Sequence, residues 1–244
     1  MLAKDCGASW FQSVCLKNTL TVVNAQLELL ERYVGLLLQS NRKVNLISRK
    51  DERNVWERHI LHSVSLLFKV SIPTDARVMD LGTGGGLPGI PIKILIPTLS
   101  LTLVDSIKKK TQAVADIVHQ LSLANVVVQC GRAEDLAKRE EFRNQFDYVI
   151  ARGIADLKQL VEWSHPFLKS ERYELTGTSA SERKIFIRPQ ALVALKGGNL
   201  DNEIESARKA KHVDEIRVID LSVEGLELAH NPARKAVMVH FQQS

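Results

Sequence analysis

The chain has 244 residues, 45% of them apolar, enough for one α/β domain with an extension or for two small domains around a sizeable core. Lys and Arg exceed Asp and Glu by 33 to 28, a mild basic excess that permits a nucleic-acid partner without demanding one. No apolar run is long enough to span a bilayer, no signal peptide is recognisable, and the three cysteines, Cys6, Cys15 and Cys130, lack metal-ligand spacing, so a reduced, cytoplasmic protein without a membrane partner is expected.

Residues 20–70 read as helices. Val23, Leu27, Leu30, Val34 and Leu37 share one helical face. Asn41 to Asn45 breaks the pattern, and Ser48-Arg49-Lys50-Asp51 has the form of a capping box opening the next helix. There Trp56, Ile60, Val64 and Leu67 share a face, with Arg58 and His62 on another. From Ala76 onward strands and helices alternate. Strands are expected at 77–81, 101–105, 126–130, 146–151, 191–196, 213–221 and 235–241, and helices near 89–96, 107–123, 133–140, 157–169 and 200–211. Such alternation implies a mostly parallel sheet covered on both faces. The last two strands have no helix between them and read as a hairpin with a long connection, which predicts an antiparallel edge strand. The expected architecture is a Rossmann-like seven-stranded α/β methyltransferase sheet over 72–244, with an N-terminal helical region over 1–71. Residues 170–189 interrupt the alternation and read as a surface insertion, with Tyr173–Thr176 and Lys184–Ile187 as alternative hairpin arms. Cys130 is expected to be a buried strand residue, and Trp10, Trp56 and Trp163 to be packing residues.

The strand at 77–81 runs into Gly-Thr-Gly-Gly-Gly-Leu-Pro-Gly, residues 82–89. Glycine lets a ligand lie against the main chain, and a helix start just beyond offers free N–H groups. Gly82, Gly84 and Gly86 give G-x-G-x-G. A dinucleotide fingerprint would need glycine where Leu87 stands, and a P-loop would need lysine where Ile90 stands. The motif therefore fits a nucleoside ligand without a pyrophosphate, of which S-adenosylmethionine is the common example.

In open α/β sheets ligands bind beyond the carboxyl ends of the strands. The second strand ends at Asp105, 23 residues after Gly82, near the spacing at which an acid accepts hydrogen bonds from ribose hydroxyls. The third ends at Cys130-Gly131-Arg132-Ala133-Glu134, where adenine should lie. The fourth ends at Arg152 and the fifth at Lys196.

Several stretches resemble the bacterial 16S rRNA (guanine-N7) methyltransferase family, also called the glucose-inhibited division protein B family. They are Asn45-Leu-Ile-Ser48, Arg58-His-Ile-Leu-His-Ser63, Asp80 to Pro91, Val149-Ile-Ala-Arg152 and Ala194-Leu-Lys-Gly197, in the family's order. The resemblance implies S-adenosylmethionine as methyl donor and, as substrate, one guanine of 16S rRNA, position 527 in the usual rRNA numbering, in free rRNA or the 30S subunit; a monomer is expected. It implies that Gly82, with Gly84, and Leu87 meet the methionine and ribose part of the donor. Asp105 would take the ribose, Ala133 and Glu134 the adenine side, and Arg152 would line the cofactor site. Arg132, Lys196 and Arg234 match basic positions near the mouth, where RNA would approach, and Arg58 and His59 are further candidates for contacting the substrate. His62 stands where many members have Asp, Gly85 where Pro or Ala is frequent, and the 170–189 segment is longer than usual.

Guanine N7 carries a lone pair and no proton, so its methylation needs positioning and no general base, and no catalytic residue is assigned. Exocyclic-amine methylation commonly uses an Asn/Asp-Pro-Pro-aromatic motif, where this chain has Ala151-Arg152-Gly153. Cytosine C5 methylation needs a cysteine nucleophile, and Cys130 has no proline neighbour. The rival readings are a small-molecule methyltransferase, a non-catalytic RNA-binding protein on the same fold and, more remotely, a nicotinamide oxidoreductase.

Overall fold

The computed structural model describes residues 6–170, 184–226 and 234–242. Two amphipathic helices open the chain, α1 (Ala8–Lys17) and α2 (Asn24–Asn41). Leu30, Val34 and Leu37 of α2 are buried as the spacing requires. Val23 is exposed, because it caps α2 from outside the helix instead of extending its apolar face. Helix α1 precedes the region read as helical, and Phe11, Val14 and Cys15 fix it to the core. After Ser48 a 3₁₀ turn (Arg49–Asn54) leads into a π-helical stretch (Trp56–Leu61), α3 (His62–Val64) and α4 (Leu66–Lys69). The expected capping box does not form. The Ser48 side chain makes no cap bond, and Asp51 is drawn forward to Arg58 at 2.9 Å.

The remaining elements follow in order: β1 (Val70–Ser71), β2 (Arg77–Leu81), α5 (Gly89–Leu95), β3 (Ser100–Asp105), α6 (Lys108–Gln120), β4 (Val126–Cys130), α7 (Ala133–Leu136), β5 (Tyr148–Arg152), α8 (Leu157–Ser164), β6 (Ile185–Phe186), β7 (Ala191–Gly197), α9 (Asp201–Arg208), β8 (Val213–Asp220) and β9 (Arg234–Phe241). Seven strands form one sheet in the order β4-β3-β2-β5-β7-β9-β8. The first five are parallel, and β9 runs antiparallel to both β7 and β8. The reversed strand is therefore interior, inserted between β7 and β8, and not at the edge. Among the described residues the edge goes to β8, which pairs with β9.

Side chains alternate across this sheet. Val78, Leu101, Leu103, Ile150, Val193, Leu195 and Ala236 face one core, built with the N-terminal helices, α5 and α6. Met79, Val104, Val149, Ala151, Leu192 and Val237 face the other, built with α7, α8 and α9. Burying one such aliphatic side chain contributes about 1.5–3 kcal/mol, so both layers are firmly held. The N-terminal helices share one continuous core with the sheet. A short parallel pairing of β1 with β6 also ties residues 70–71 to 185–186. Residues 185–186, within one of the suggested hairpin arms, thus pair in parallel with the N-terminal region. The other suggested arm, 173–176, lies outside the described residues. Among the described residues no helix is long and apolar enough to cross a membrane.

Candidate functional site

Strand β2 ends at Leu81, and the chain then turns through Gly82, Gly84 and Gly86 at φ of +72°, +56° and +94°. A Cβ on Gly86 would lie 2.4 Å from Cδ1 of Ile90, and one on Gly82 would lie 2.5 Å from Cγ2 of Ile154. Both conformation and space therefore require glycine there. Asp80 holds the turn from below. Its Oδ2 accepts from the Thr83 hydroxyl at 2.7 Å and from the Gly89 N–H at 2.9 Å, at the start of α5. Burial pushes its carboxyl up to about 6, with the Thr83 and Gly89 hydrogen bonds and nearby Arg152 opposing. From behind, the buried Tyr33 hydroxyl donates to Gly85 O at 2.9 Å. Leu37 and Leu46 press on Gly85, whose missing side chain gives them room.

Asp105 closes the turn from the neighbouring strand. Its Oδ2 accepts from Gly84 N–H at 3.0 Å and its Oδ1 from Ile107 N–H at 2.9 Å. A cavity of about 330 Å³ opens beside it, lined by Leu81, Gly82, Val104, Asp105, Ile107, Lys110 and, from the next strand end, Arg132, Ala133 and Glu134, among others. Glu134 is held by Trp163, whose indole N–H donates to its Oε1 at 2.8 Å. Trp163 itself lines the cavity, so it is more than a packing residue. Gly82, Asp105, Arg132, Ala133 and Glu134 are thus brought together around one space, with Gly84 bonded to Asp105.

Arg152 is not among the residues lining that cavity. By strand alternation it faces the N-terminal helices, on the same side as Ile150 and Leu195. Its Nη2 lies 3.2 Å from Nδ1 of His59. Arginine can only donate, so Nδ1 accepts and the His59 proton sits on Nε2, which faces Asp51 Oδ2 at 3.6 Å. Burial, then the Arg152 charge, brings His59 down to about 4. His62 lies in the same cluster and falls to about 3, through burial and then Arg152, Arg234 and His59. Both imidazoles are neutral at neutral pH. Arg234 opens β9 opposite Gly197 and is 7% exposed. Arg58 extends outward and pairs with Asp51.

Two expected site residues turn their side chains away from this cavity. Leu87 is buried in the core, because the turn aims its side chain inward. Lys196 has the opposite parity to Leu195, so it points to the α8–α9 layer. There it donates to Ala155 O at 2.8 Å and pairs with Glu203, whose Oε2 also accepts the Leu157 N–H at the start of α8. Cys130 is exposed and not buried, because β4 is a sheet edge. Tyr33, Asp80 and Trp163 were not singled out from the sequence for the site. The first sits on an ordinary amphipathic helix and gave no signal. Asp80 did give one, as a carboxylate inside an apolar strand.

A five-strand parallel run with a reversed penultimate strand, a glycine turn and an acid closing it define a Rossmann-like methyltransferase. Solved structures agree on the fold. The chain superposes on a predicted O-methyltransferase of Agrobacterium tumefaciens with a TM-score of 0.53 at 14% identity, covering 74% of this chain and 79% of that one. It superposes on an S-adenosylmethionine-dependent methyltransferase of Aquifex aeolicus with a TM-score of 0.50 at 14% identity, covering 79% and 98%. Residues 26–230 match the family described as GidB, rRNA small subunit methyltransferase G. A ribosomal RNA small subunit methyltransferase G of Chlorobium limicola is 37% identical over 199 residues, 82% of this chain and 80% of its own length. Its counterpart from Streptococcus equi subsp. zooepidemicus is 36% identical over 200 residues, 82% and 77%. The chain belongs to the rRNA small subunit methyltransferase G family.

Proposed function

We propose that this protein transfers a methyl group from S-adenosylmethionine to N7 of a guanine in 16S rRNA of the small ribosomal subunit, at the position that the family resemblance implies. The observation that carries this reading is the Asp105 cavity in a chain of this family. Its volume is in the range of small-molecule sites. An ionised carboxylate has about four lone-pair sites, and Gly84 and Ile107 use two at Asp105, which leaves acceptors for ribose hydroxyls. Leu81, Val104, Ile107 and Ile154 supply apolar walls for a purine. These residues fit the donor: Gly82, Gly84 and Asp105 on the ribose side, Ala133 and Glu134 on the adenine side. Bound there, the donor supplies an electrophilic methyl on a sulfonium.

The protein's own task is then to hold N7 in line with that methyl and to keep water out. N7 has no proton to lose, which suits a site whose histidines are neutral. Because N7 lies in the groove of A-form RNA that side chains cannot read, the guanine must come from a loop or a distorted segment. Arg132 at the rim, with Arg58, is suited to phosphate contacts that set orientation. We expect the protein to act in the cytoplasm as a monomer, which light scattering of the purified chain tests.

The test of function uses methyl-labelled donor with 30S subunits from cells lacking the gene. Label in 16S rRNA, and chain scission at one guanine after borohydride and aniline treatment, are expected. Label on another RNA or on an exocyclic amine refutes the reading.

A further inference from the structure

A second cavity lies at the other end of the sheet. It holds about 410 Å³, more than the Asp105 cavity. Gln190 precedes β7 and Gln242 follows the reversed β9, so it opens at the amino ends of the parallel strands, away from the glycine turn. Leu168 and Gln190, both on its wall, flank the 170–189 segment that reads as an insertion. The wall has two chemistries. Pro166, Leu168 and Phe241 are apolar, and the His165 ring stacks on His212 at 4.3 Å with Phe241 tilted against it at 5.3 Å. Burial, then His212, lowers the pKa of His165, so this ring offers a stacking surface and not a charge at neutral pH. Lys138, Arg143 and Lys169 bring cations, and no carboxylate lines the cavity among the described residues. Asp135 engages Lys138 at 3.3 Å and Asp147 engages Lys169 at 2.7 Å, both from outside the cavity. Arg143 forms no ion pair among the described residues. Asn144 and Gln190, on the wall, and His212, behind it, hold φ of +52°, +67° and +74°. Side-chain-bearing residues disfavour that backbone, and it gathers at ligand sites.

We propose that this cavity binds a nucleotide, with its phosphate on Arg143 and Lys138 and its base against His165 and the apolar wall. Guanidinium and ammonium groups make strong charge-assisted hydrogen bonds to phosphate. Bases stack on aromatic side chains with little regard to sequence, and the Asn144 and Gln242 amides offer donors and acceptors to a base edge. An uncharged metabolite would leave the cations unused, and an inorganic anion would leave the apolar wall unused. The nucleotide comes from an RNA strand or from the free pool. The RNA source has geometric support: Ala133 and Glu134 line the donor cavity while Ala137 and Lys138 line this one, about one helical turn further along the chain. A strand that reaches the donor end is therefore within a short span of the second cavity. The binding itself does not rest on the reaction assigned above.

The test titrates the full chain, with S-adenosylhomocysteine in excess to occupy the donor cavity, and follows the histidine ring resonances by NMR. The probes are the four ribonucleoside 5′-monophosphates, the matching nucleosides and orthophosphate. At least one monophosphate should shift the His165 and His212 signals, and should bind about tenfold or more tightly than its nucleoside or orthophosphate. Arg143 is exposed, so Arg143→Gln should keep the wild-type thermal midpoint while losing about tenfold in affinity for that monophosphate. Unmoved His165 and His212 signals with all four monophosphates, equal binding by the nucleoside or by orthophosphate, or undiminished affinity in Arg143→Gln overturns the proposal. A single-stranded hexaribonucleotide of the same base separates the two sources. Tighter binding than the monophosphate, with a salt slope that flattens by about one in Arg143→Gln, assigns the cavity to RNA. Binding no tighter than the monophosphate assigns it to a free nucleotide. A wild type that methylates no rRNA would refute the functional reading and leave the outcome of this titration unchanged.

Discussion

Replacing Gly89 with alanine should be among the most damaging single-methyl additions in the glycine turn. A Cβ at this position would lie 2.7 Å from Oδ2 of Asp80 and 2.7 Å from Cδ2 of Leu103. Leucine can rotate away, but Asp80 cannot, because the same oxygen accepts from Thr83 and from Gly89 itself. Overpacking of this kind costs about 1–3 kcal/mol, and loosening a buried hydrogen bond to a carboxylate costs about 1.5–3 kcal/mol. The helix preference for alanine offsets up to about 1 kcal/mol. Together these give an expected loss of about 1.5–6 kcal/mol, or a fall of roughly 3–24 °C in Tm for a chain of this size. Gly84→Ala is the control. Unlike Gly89 it has positive φ, but its Cβ would meet nothing nearer than Leu46 O at 3.7 Å, so only backbone strain of about 1–2 kcal/mol applies. Urea unfolding of both variants measures the difference. If Gly89→Ala is no less stable than Gly84→Ala, Asp80 does not hold the turn as described.

Acid should destabilise the fold. The pKa values of His59 and His62 are lowered to about 4 and about 3, so the unfolded chain binds more protons than the native one from about 6.5 downward and stability falls with pH. Each costs about 2 kcal/mol by pH 5, while Asp80, raised to about 6, works the other way and returns about 1 kcal/mol. Unfolding of His62→Gln between pH 7 and pH 5 should show a shallower slope, and an unchanged slope would refute the assignment. Tyr33→Phe removes the donor to Gly85 O and should cost about 1–3 kcal/mol as well as weaken S-adenosylhomocysteine binding by calorimetry; unaltered affinity would mean the turn holds its shape without it. Adding S-adenosylhomocysteine should change the fluorescence of wild type and scarcely that of Trp163→Phe, because Trp163 lines the cavity. Cys130 should react with a thiol reagent well before Cys15, which is buried and pushed up to about 12.

Alternation and turn chemistry made the sheet readable. Five parallel strands and the glycine turn follow from local patterns, and Asp105 was found because a carboxylate at a strand end has a fixed sequence distance from the turn. What stayed hidden depends on register between distant strands. Lys196 and Arg152 both sit at strand ends and look equivalent in the sequence. Only the pairing of β5 with β7 shows that one faces the N-terminal helices and the other the α8–α9 layer. The place of β9 between β7 and β8 has the same origin, since a hairpin pattern does not say on which side the return strand docks. The burial of the Leu87 side chain was not legible either, because a residue inside a ligand loop can offer its backbone while its side chain joins the core. Tyr33 gave no warning because its value lies in one long-range hydrogen bond, made 52 positions away.

The short β1–β6 pairing has a mechanical consequence. It stitches the end of the N-terminal helices to a segment that comes more than a hundred positions later, while Tyr33 and Leu37 clasp the glycine turn from the same direction. The helical layer therefore cannot swing aside like a door without unpicking backbone bonds and baring its own interior.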